Sequence, residues 1–223
     1  MIMGAWGLGR KRGWTNPYVT AGLIAMWDGE WNAGPGVHDP NATVWNDLVG
    51  SDDMSFNLTP TVDADGFTYP DRGYSSSSIA RTLNAYTIEI CGDLRHKTNT
   101  NDVFSFQRKV EAQSSYGVPY IILGSAPDFF YSPVNNVPTI YSTVALTVDE
   151  GTKGTSFASG IQLPGANVVL IADSVFVIVN SLRTRIGNSQ SRKFHAIRLY
   201  SRALTADEIA ANYAVDKQRF NLP

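Results

Sequence analysis

Cysteine is almost absent from this chain: Cys91 stands alone among 223 residues. A single cysteine excludes an internal disulfide framework and a cysteine-built zinc site. Histidine is nearly as scarce, and His38, His96 and His195 are scattered without metal-ligand spacing. Charged residues make up 17%, against the usual quarter. The formal net charge of −2 supplies no basic field to recruit nucleic acid. No apolar run approaches the ~18 residues of a membrane span. Arg10-Lys11-Arg12 imitates a basic leader, but the next apolar stretch, Leu23 to Trp27, is short and runs into Asp28 and Glu30, so no signal peptide is expected. No phosphate-binding loop, dinucleotide fingerprint or Ser-His-Asp set is legible.

What the chain does have is aromatic residues, at 11%, and abundant turn formers, including 19 glycines. All five tryptophans fall at or before Trp45. Residues 1 to 18 form a Gly- and Trp-rich zone with three cations and no acid. That zone reads as an attachment arm carrying Trp6, Arg10, Lys11, Arg12 and Trp14. Three cations are too few for strong nucleic-acid binding, which scales with the phosphates neutralised, so simple disorder of the arm is the first expectation and docking on a protein partner the second.

From Val19 onward, short β-prone runs alternate with turn signals. Strands are expected at 22–28, 53–59, 66–69, 76–81, 85–94, 101–108, 117–124, 127–132, 141–149, 154–159, 168–171, 175–179 and 193–201. Asp65-Gly66 marks a hairpin between Thr61-Val62 and Phe67-Thr68. Ser159-Gly160 and Asp149-Glu-Gly151 punctuate the later half. The last strand, Phe194 to Tyr200, places Ile197 and Leu199 on one face. A helix then begins at a capping box, Thr205 followed three residues later by Glu208. Asp207 and Glu208 suit its positive end, and Lys217 and Arg219 its negative end. Ile209, Tyr213 and Phe220 form its expected apolar stripe.

Two anchors resemble the laminin-G-like, concanavalin A-like lectin/glucanase superfamily. One is Arg198-Leu199-Tyr200-Ser201-Arg202-Ala203-Leu204-Thr205 with Glu208-Ile209. The other is Leu23-Ile-Ala-Met-Trp27-Asp28-Gly29 followed by Trp45-Asn46-Asp47-Leu48-Val49-Gly50. The resemblance implies an all-β fold, a concanavalin A-like jelly-roll sandwich of two antiparallel sheets closed by one C-terminal helix. On this reading the arm covers 1–18, the sandwich 19–204, and the helix and tail 205–223. Gly4 through Gly50 also resembles proteins of gut-bacterial genomes and their prophages.

Three kinds of chemistry are open. Thr87, Glu89, Cys91 and Asp93 share one face of a strand, and glucanases of this superfamily carry acids on such a face. Retaining hydrolysis needs two carboxyls about 5 Å apart, whereas strand residues four apart lie roughly 13 Å from each other. Cys91 also stands where a middle acid belongs, so a hydrolase using Glu89 and Asp93 is the minority expectation. Calcium is the second. Asp63-Ala-Asp65-Gly66 lacks the later acids of a calcium loop and reads as a turn, while laminin-G-like domains often hold calcium with loop carboxylates, for which Asp28 and Asp47 are the candidates. Carbohydrate contact is the third: Trp31, Asn32, Asp39 and Asn41 sit in the loop 30–43, with Asn101 and Asp102 as further candidates alongside Asn99 and Phe129-Phe130-Tyr131.

The expected role is a non-catalytic, lectin-like recognition or structural module. It would be carried on a phage virion surface, or else be extracellular or on a bacterial cell surface. Its partners would be cell-surface or mucus glycans, or other virion proteins reached through the arm, and it could form a homo-oligomer. A purely structural assembly domain is the third reading.

Overall fold

The computed structural model describes residues 15–70, 75–76, 85–92, 101–106, 110–115, 118–123, 130–133, 142–149, 153–162, 178–180 and 192–222. Among them are sixteen strands and one helix. With strands numbered in chain order, the first sheet runs β14 (Ile161–Gln162), β13 (Lys153–Ala158), β12 (Ser142–Asp149), β7 (Tyr86–Gly92), β16 (Arg192–Tyr200), β5 (Gly66–Tyr69), β4 (Thr61–Asp63), with β1 (Leu23–Asp28) also paired to β16. The second runs β11 (Phe130–Pro133), β10 (Val118–Leu123), β9 (Val110–Ser115), β8 (Asn101–Phe106), β15 (Ile178–Asn180), β6 (Ser75–Ser76), β3 (Met54–Phe56), β2 (Val44–Trp45). Every strand pairing in both sheets is antiparallel. The all-β expectation and the single terminal helix, α1 (Ala206–Arg219), therefore hold among the described residues. The short strands β2, β9 and β14 were not expected, and the strand expected at 168–171 lies outside the described residues.

β16 is the spine of the first sheet. Its start pairs with β5, its end with β1, and its other edge with β7. Register shifts between Phe194 and Ala196, leaving His195 unopposed by β7. That bulge keeps Phe194, Ile197 and Leu199 on one face while Ala196, Arg198 and Tyr200 take the other. The first face carries fully buried aromatics. Phe67 of β5 touches Trp45 of β2 and Phe56 of β3, with ring centroids 5.1 and 5.0 Å apart, so rings of the two sheets meet directly. Tyr69 continues the row to Phe194. Buried aromatic area of this kind dominates core energetics.

The two segments of the front anchor lock together. Asp47 forms a bridge with Trp27, and its Oδ1 accepts the amides of Met26 and Val49. The amide of Leu48 donates to the Met26 carbonyl. The Trp-x-Asp-Leu-x-Gly turn thus pins itself to β1. The β4–β5 hairpin turns through Ala64 and Asp65, with Asp63 opposite Gly66. Gly66 is required here by space: a Cβ would lie 2.5 Å from the Phe194 carbonyl oxygen. Ser159 and Gly160, both at positive φ (50° and 73°), make the tight turn from β13 to β14, as a primed hairpin turn demands.

Candidate functional site

The helix begins as its sequence dictates. Thr205 Oγ1 accepts the Glu208 amide while the Glu208 carboxylate accepts the Thr205 amide, completing the capping box. Arg202 forks onto Glu208 at 2.8 and 2.6 Å and donates to the Ala21 carbonyl, tying the helix start to the entrance of β1. Hydrogen bonding to Arg202 holds the Glu208 carboxyl down at about 2, against the weaker opposing effect of partial burial.

The helix face turned to the sheet is polar at its centre. Ile209 and Phe220 are buried as expected, but Tyr213 is only half-buried. Between them Asn212 and Asp216 are fully buried. They meet the sheet face that carries Met26, Arg198, Glu89 and Ala145, residues opposite one another across β1, β16, β7 and β12. Arg198 donates from Nε to Glu89 Oε2 at 2.8 Å, and from Nη1 and Nη2 to the two Asp216 oxygens at 2.8 and 2.6 Å. Asp216 also accepts the hydroxyls of Tyr18 and Thr143, each at 2.7 Å. Asn212 donates to Glu89 Oε2 and to the Tyr200 hydroxyl and accepts the Val19 amide. Glu89, Arg198, Asn212 and Asp216 have no exposed surface.

The network continues to the helix C-terminus. Arg219 forks onto Asp28 at 2.7 and 2.9 Å, reaches Glu30 at 2.6 Å, and donates to the Tyr18 hydroxyl at 2.7 Å. Its guanidinium lies 3.5 Å from the centroid of the Trp31 ring, and that of Arg198 lies 4.1 Å from the Tyr18 ring, both within cation–π range. Burial opposes the charge of both arginines, but their carboxylate partners outweigh it and hold both pKa values above the ordinary one. Burial raises Glu89 and Asp28 despite the same arginines.

These contacts fix the sequence candidates. Glu89 lies beneath α1, paired with Arg198, and does not line an open groove. Asp93 and Asn99 lie outside the described residues. Asp28 is fully buried and accepts the Glu30 and Trp31 amides as well as Arg219, so its oxygens are already engaged. Asp47 accepts backbone amides from Met26, Val49 and Asp52. No group of three or more His, Cys, Asp or Glu residues arranged to hold a metal occurs among the described residues. Asn32 is fully buried and exchanges two hydrogen bonds with the Asp39 backbone, closing the loop 30–43. Asp39 Oδ1 accepts the Asn41 amide, and Asn41 itself is exposed. Trp31 is half-buried under Arg219. Asn101 and Asp102 open β8, opposite Ser114 and Gln113, and Phe130 and Tyr131 lie on β11; the side chains of all four are outside the described set, as is Phe129. The arm residues Trp6, Arg10, Lys11, Arg12 and Trp14 are also outside it. Tyr18, read as the last arm residue, is built into the domain, with 4% of its surface exposed.

Sequence reasoning missed Asn212, Asp216, Arg198 and Tyr18 as a set. The one signal was the i, i+4 spacing of Asn212 and Asp216 beside Ile209, which puts them on the apolar side of the helix.

No helix among the described residues is long and apolar enough to cross a membrane. No family model matches the chain, and no curated protein matches it. Solved structures do. A Trypanosoma rangeli sialidase aligns with a TM-score of 0.68 at 16% identity over 90% of this chain. The binding domain of Paraclostridial Mosquitocidal Protein 1 aligns at 0.69 and 11% identity over 86%. The botulinum neurotoxin serotype D binding domain aligns at 0.68 and 10% identity over 87%. The chain spans 33% of the sialidase and 52% of each toxin domain. At these identities the likeness is one of fold, an antiparallel β architecture shared with a sialidase and two toxin binding domains.

Proposed function

We propose that this chain is a non-catalytic carbohydrate-recognition module of concanavalin A-like, laminin-G-like type. The observation that carries the reading is the fold likeness, across about nine-tenths of the chain, to a sialidase also solved in complex with sialic acid and to two toxin binding domains. The closed loop 30–43 supports it. The Asn32–Asp39 clamp and the Arg219–Trp31 stack hold the loop rigid while leaving Asn41 and His38 exposed. A preorganised polar loop binds with less ordering cost than a mobile one. Binding of the purified chain to an array of sialylated and neutral glycans tests this. A defined set of hits, weakened by Asn41→Ala with the fold intact, is expected. Silence across the array would instead favour a structural assembly domain.

Catalysis through Glu89 and Asp93 is the weaker reading, because Glu89 has no solvent surface and its Oε2 is committed to Arg198 and Asn212. Hydrolysis of a polysaccharide by the native chain, lost in Glu89→Gln, would reverse that preference. The narrower role of a phage virion module attached through residues 1–18 rests on the sequence resemblance. Detection of the chain in purified virions by mass spectrometry is its test.

A further inference from the structure

Among the described residues, the buried groups around α1 do not balance in charge. Arg198 and Arg219 contribute two positive charges, and Glu89, Asp216 and Asp28 contribute three negative charges if all are ionised. Glu30 adds a fourth acid at the rim, but its side chain is 42% exposed and water solvates it. One carboxylate is therefore in excess among them in a region largely closed to solvent, where an uncompensated charge is costly and a group neutralises instead.

The hydrogen bonds show which carboxylate it is. Both oxygens of Asp216 and both of Asp28 accept donors. Glu89 Oε2 accepts Arg198 and Asn212, but Glu89 Oε1 is buried with no partner. It alone among these six oxygens lacks a donor. We propose that α1 is held on the sheet by a bound proton: Glu89 is a neutral carboxylic acid in the folded chain, and loss of that proton as pH rises loosens the helix and the Tyr18 segment it grips. The proton leaves Oε1 for solvent water, and the carboxylate left behind faces one guanidinium already shared with Asp216.

The described groups packed around Glu89 divide between opposing and favouring the proton, and burial is the largest influence in its favour. From β16 come Arg198, which opposes protonation, and Tyr200, which shares Asn212 with it. From α1 come Asn212 and Asp216, and the Asp216 charge favours the proton. Cys91 shares its strand face, and burial keeps that thiol protonated. Tyr18 closes the far side of Asp216, and burial keeps its phenol protonated too. Beyond them, Arg219 is taken up by Asp28 and Glu30. The direction follows from linkage. A carboxyl raised in the folded state keeps its full stabilisation below the ordinary glutamate range and loses it as pH climbs through the raised value. His195, lowered by burial, works in the opposite sense, but equally in wild type and in a Glu89 variant.

The test is urea unfolding and amide exchange, corrected for intrinsic rate, from about pH 5 to about pH 8. In wild type, the unfolding constant should rise with pH by up to about tenfold per unit within the window, the signature of one proton. Protection of residues 206–219 and 16–19 should fall with it. Glu89→Gln keeps an oxygen for Arg198 and Asn212 and should remove that one-proton slope. Parallel wild-type and Glu89→Gln profiles would overturn the proposal. Should the variant fail to fold, infrared difference spectra of the wild type decide: a protonated-carboxyl band near neutral pH, retained in Asp28→Asn, supports it, and its absence defeats it.

Discussion

Arg198 and Asp216 meet in a two-bonded fork, 2.8 and 2.6 Å long, with neither side chain exposed to solvent. The pair joins the spine strand of the first sheet to the only helix among the described residues. Such bonds are geometrically specific, since the guanidinium fork fits both carboxylate oxygens at once. They are weak evidence of net stability, because desolvating two charges offsets much of their attraction. What they impose is a single seating of α1.

Removing one partner should therefore be far worse than removing all. Arg198→Met strands Asp216 as a buried anion, takes a donor from Glu89, and should cost about 3–5 kcal/mol. Arg198→Met combined with Glu89→Leu and Asp216→Leu should recover much of that loss. Urea denaturation of the single and triple variants checks it; additive costs would refute the argument.

Tyr18 is the second point of control. Its hydroxyl donates to Asp216 and accepts from Arg219. Tyr18→Phe keeps the ring over Arg198 but leaves both partners short of a hydrogen bond, and should cost about 1–3 kcal/mol. The loss should be local. Residues 16–19 are fastened through the Tyr18 hydroxyl and the Val19–Asn212 bond, so amide exchange there should accelerate before the strands respond.

This network was the part of the molecule least legible in the sequence. Strand positions such as 66–69 and 141–149, the alternation of Ile197 and Leu199, and the capping box at Thr205 are local signals, and each reappears in the structure. The helix face is not a local signal. Apolar periodicity picked Ile209, Tyr213 and Phe220 and passed over Asn212 and Asp216, whose burial makes sense only with Arg198, Glu89 and Tyr18 in place. Glu89 shows the same limit: strand alternation puts it on a face, and only the helix over that face reveals its bonds to Arg198 and Asn212. In the loop 30–43, the bonds of Asn32 to the Asp39 backbone are likewise visible only in the fold.

The helix start offers a milder perturbation. Thr205→Ala removes the acceptor for the Glu208 amide and should cost about 1 kcal/mol. Glu208 also predicts an acid limb. Its carboxyl is held down at about 2 by Arg202, so its contribution is complete above the ordinary glutamate range and disappears as pH falls toward about 2. The pair is solvent-accessible, so the loss should stay within about 1 kcal/mol and shrink in high salt. Circular dichroism melts at low pH, with and without Arg202→Gln, measure it.

Gly29 makes a purely steric prediction. It follows directly on β1, and its amide donates to the His195 carbonyl at 2.7 Å, which fixes it against the bulge in β16. On its other side the β4–β5 hairpin closes in, so that a Cβ on Gly29 would lie 2.4 Å from the Gly66 Cα and 2.9 Å from the Gly66 nitrogen. Both obstacles are backbone, and Gly66 is itself wedged against the Phe194 carbonyl, so neither side can yield cheaply. Gly29→Ala should therefore cost about 1–3 kcal/mol, as overpacking does in a filled core. Because the strain falls on the hairpin, the amides of Phe67 and Tyr69 should lose exchange protection, while α1, fastened by its own ion pairs, should keep its protection until global unfolding. Uniform loss across both elements would mean that the hairpin and the helix respond as one unit, contrary to this steric account.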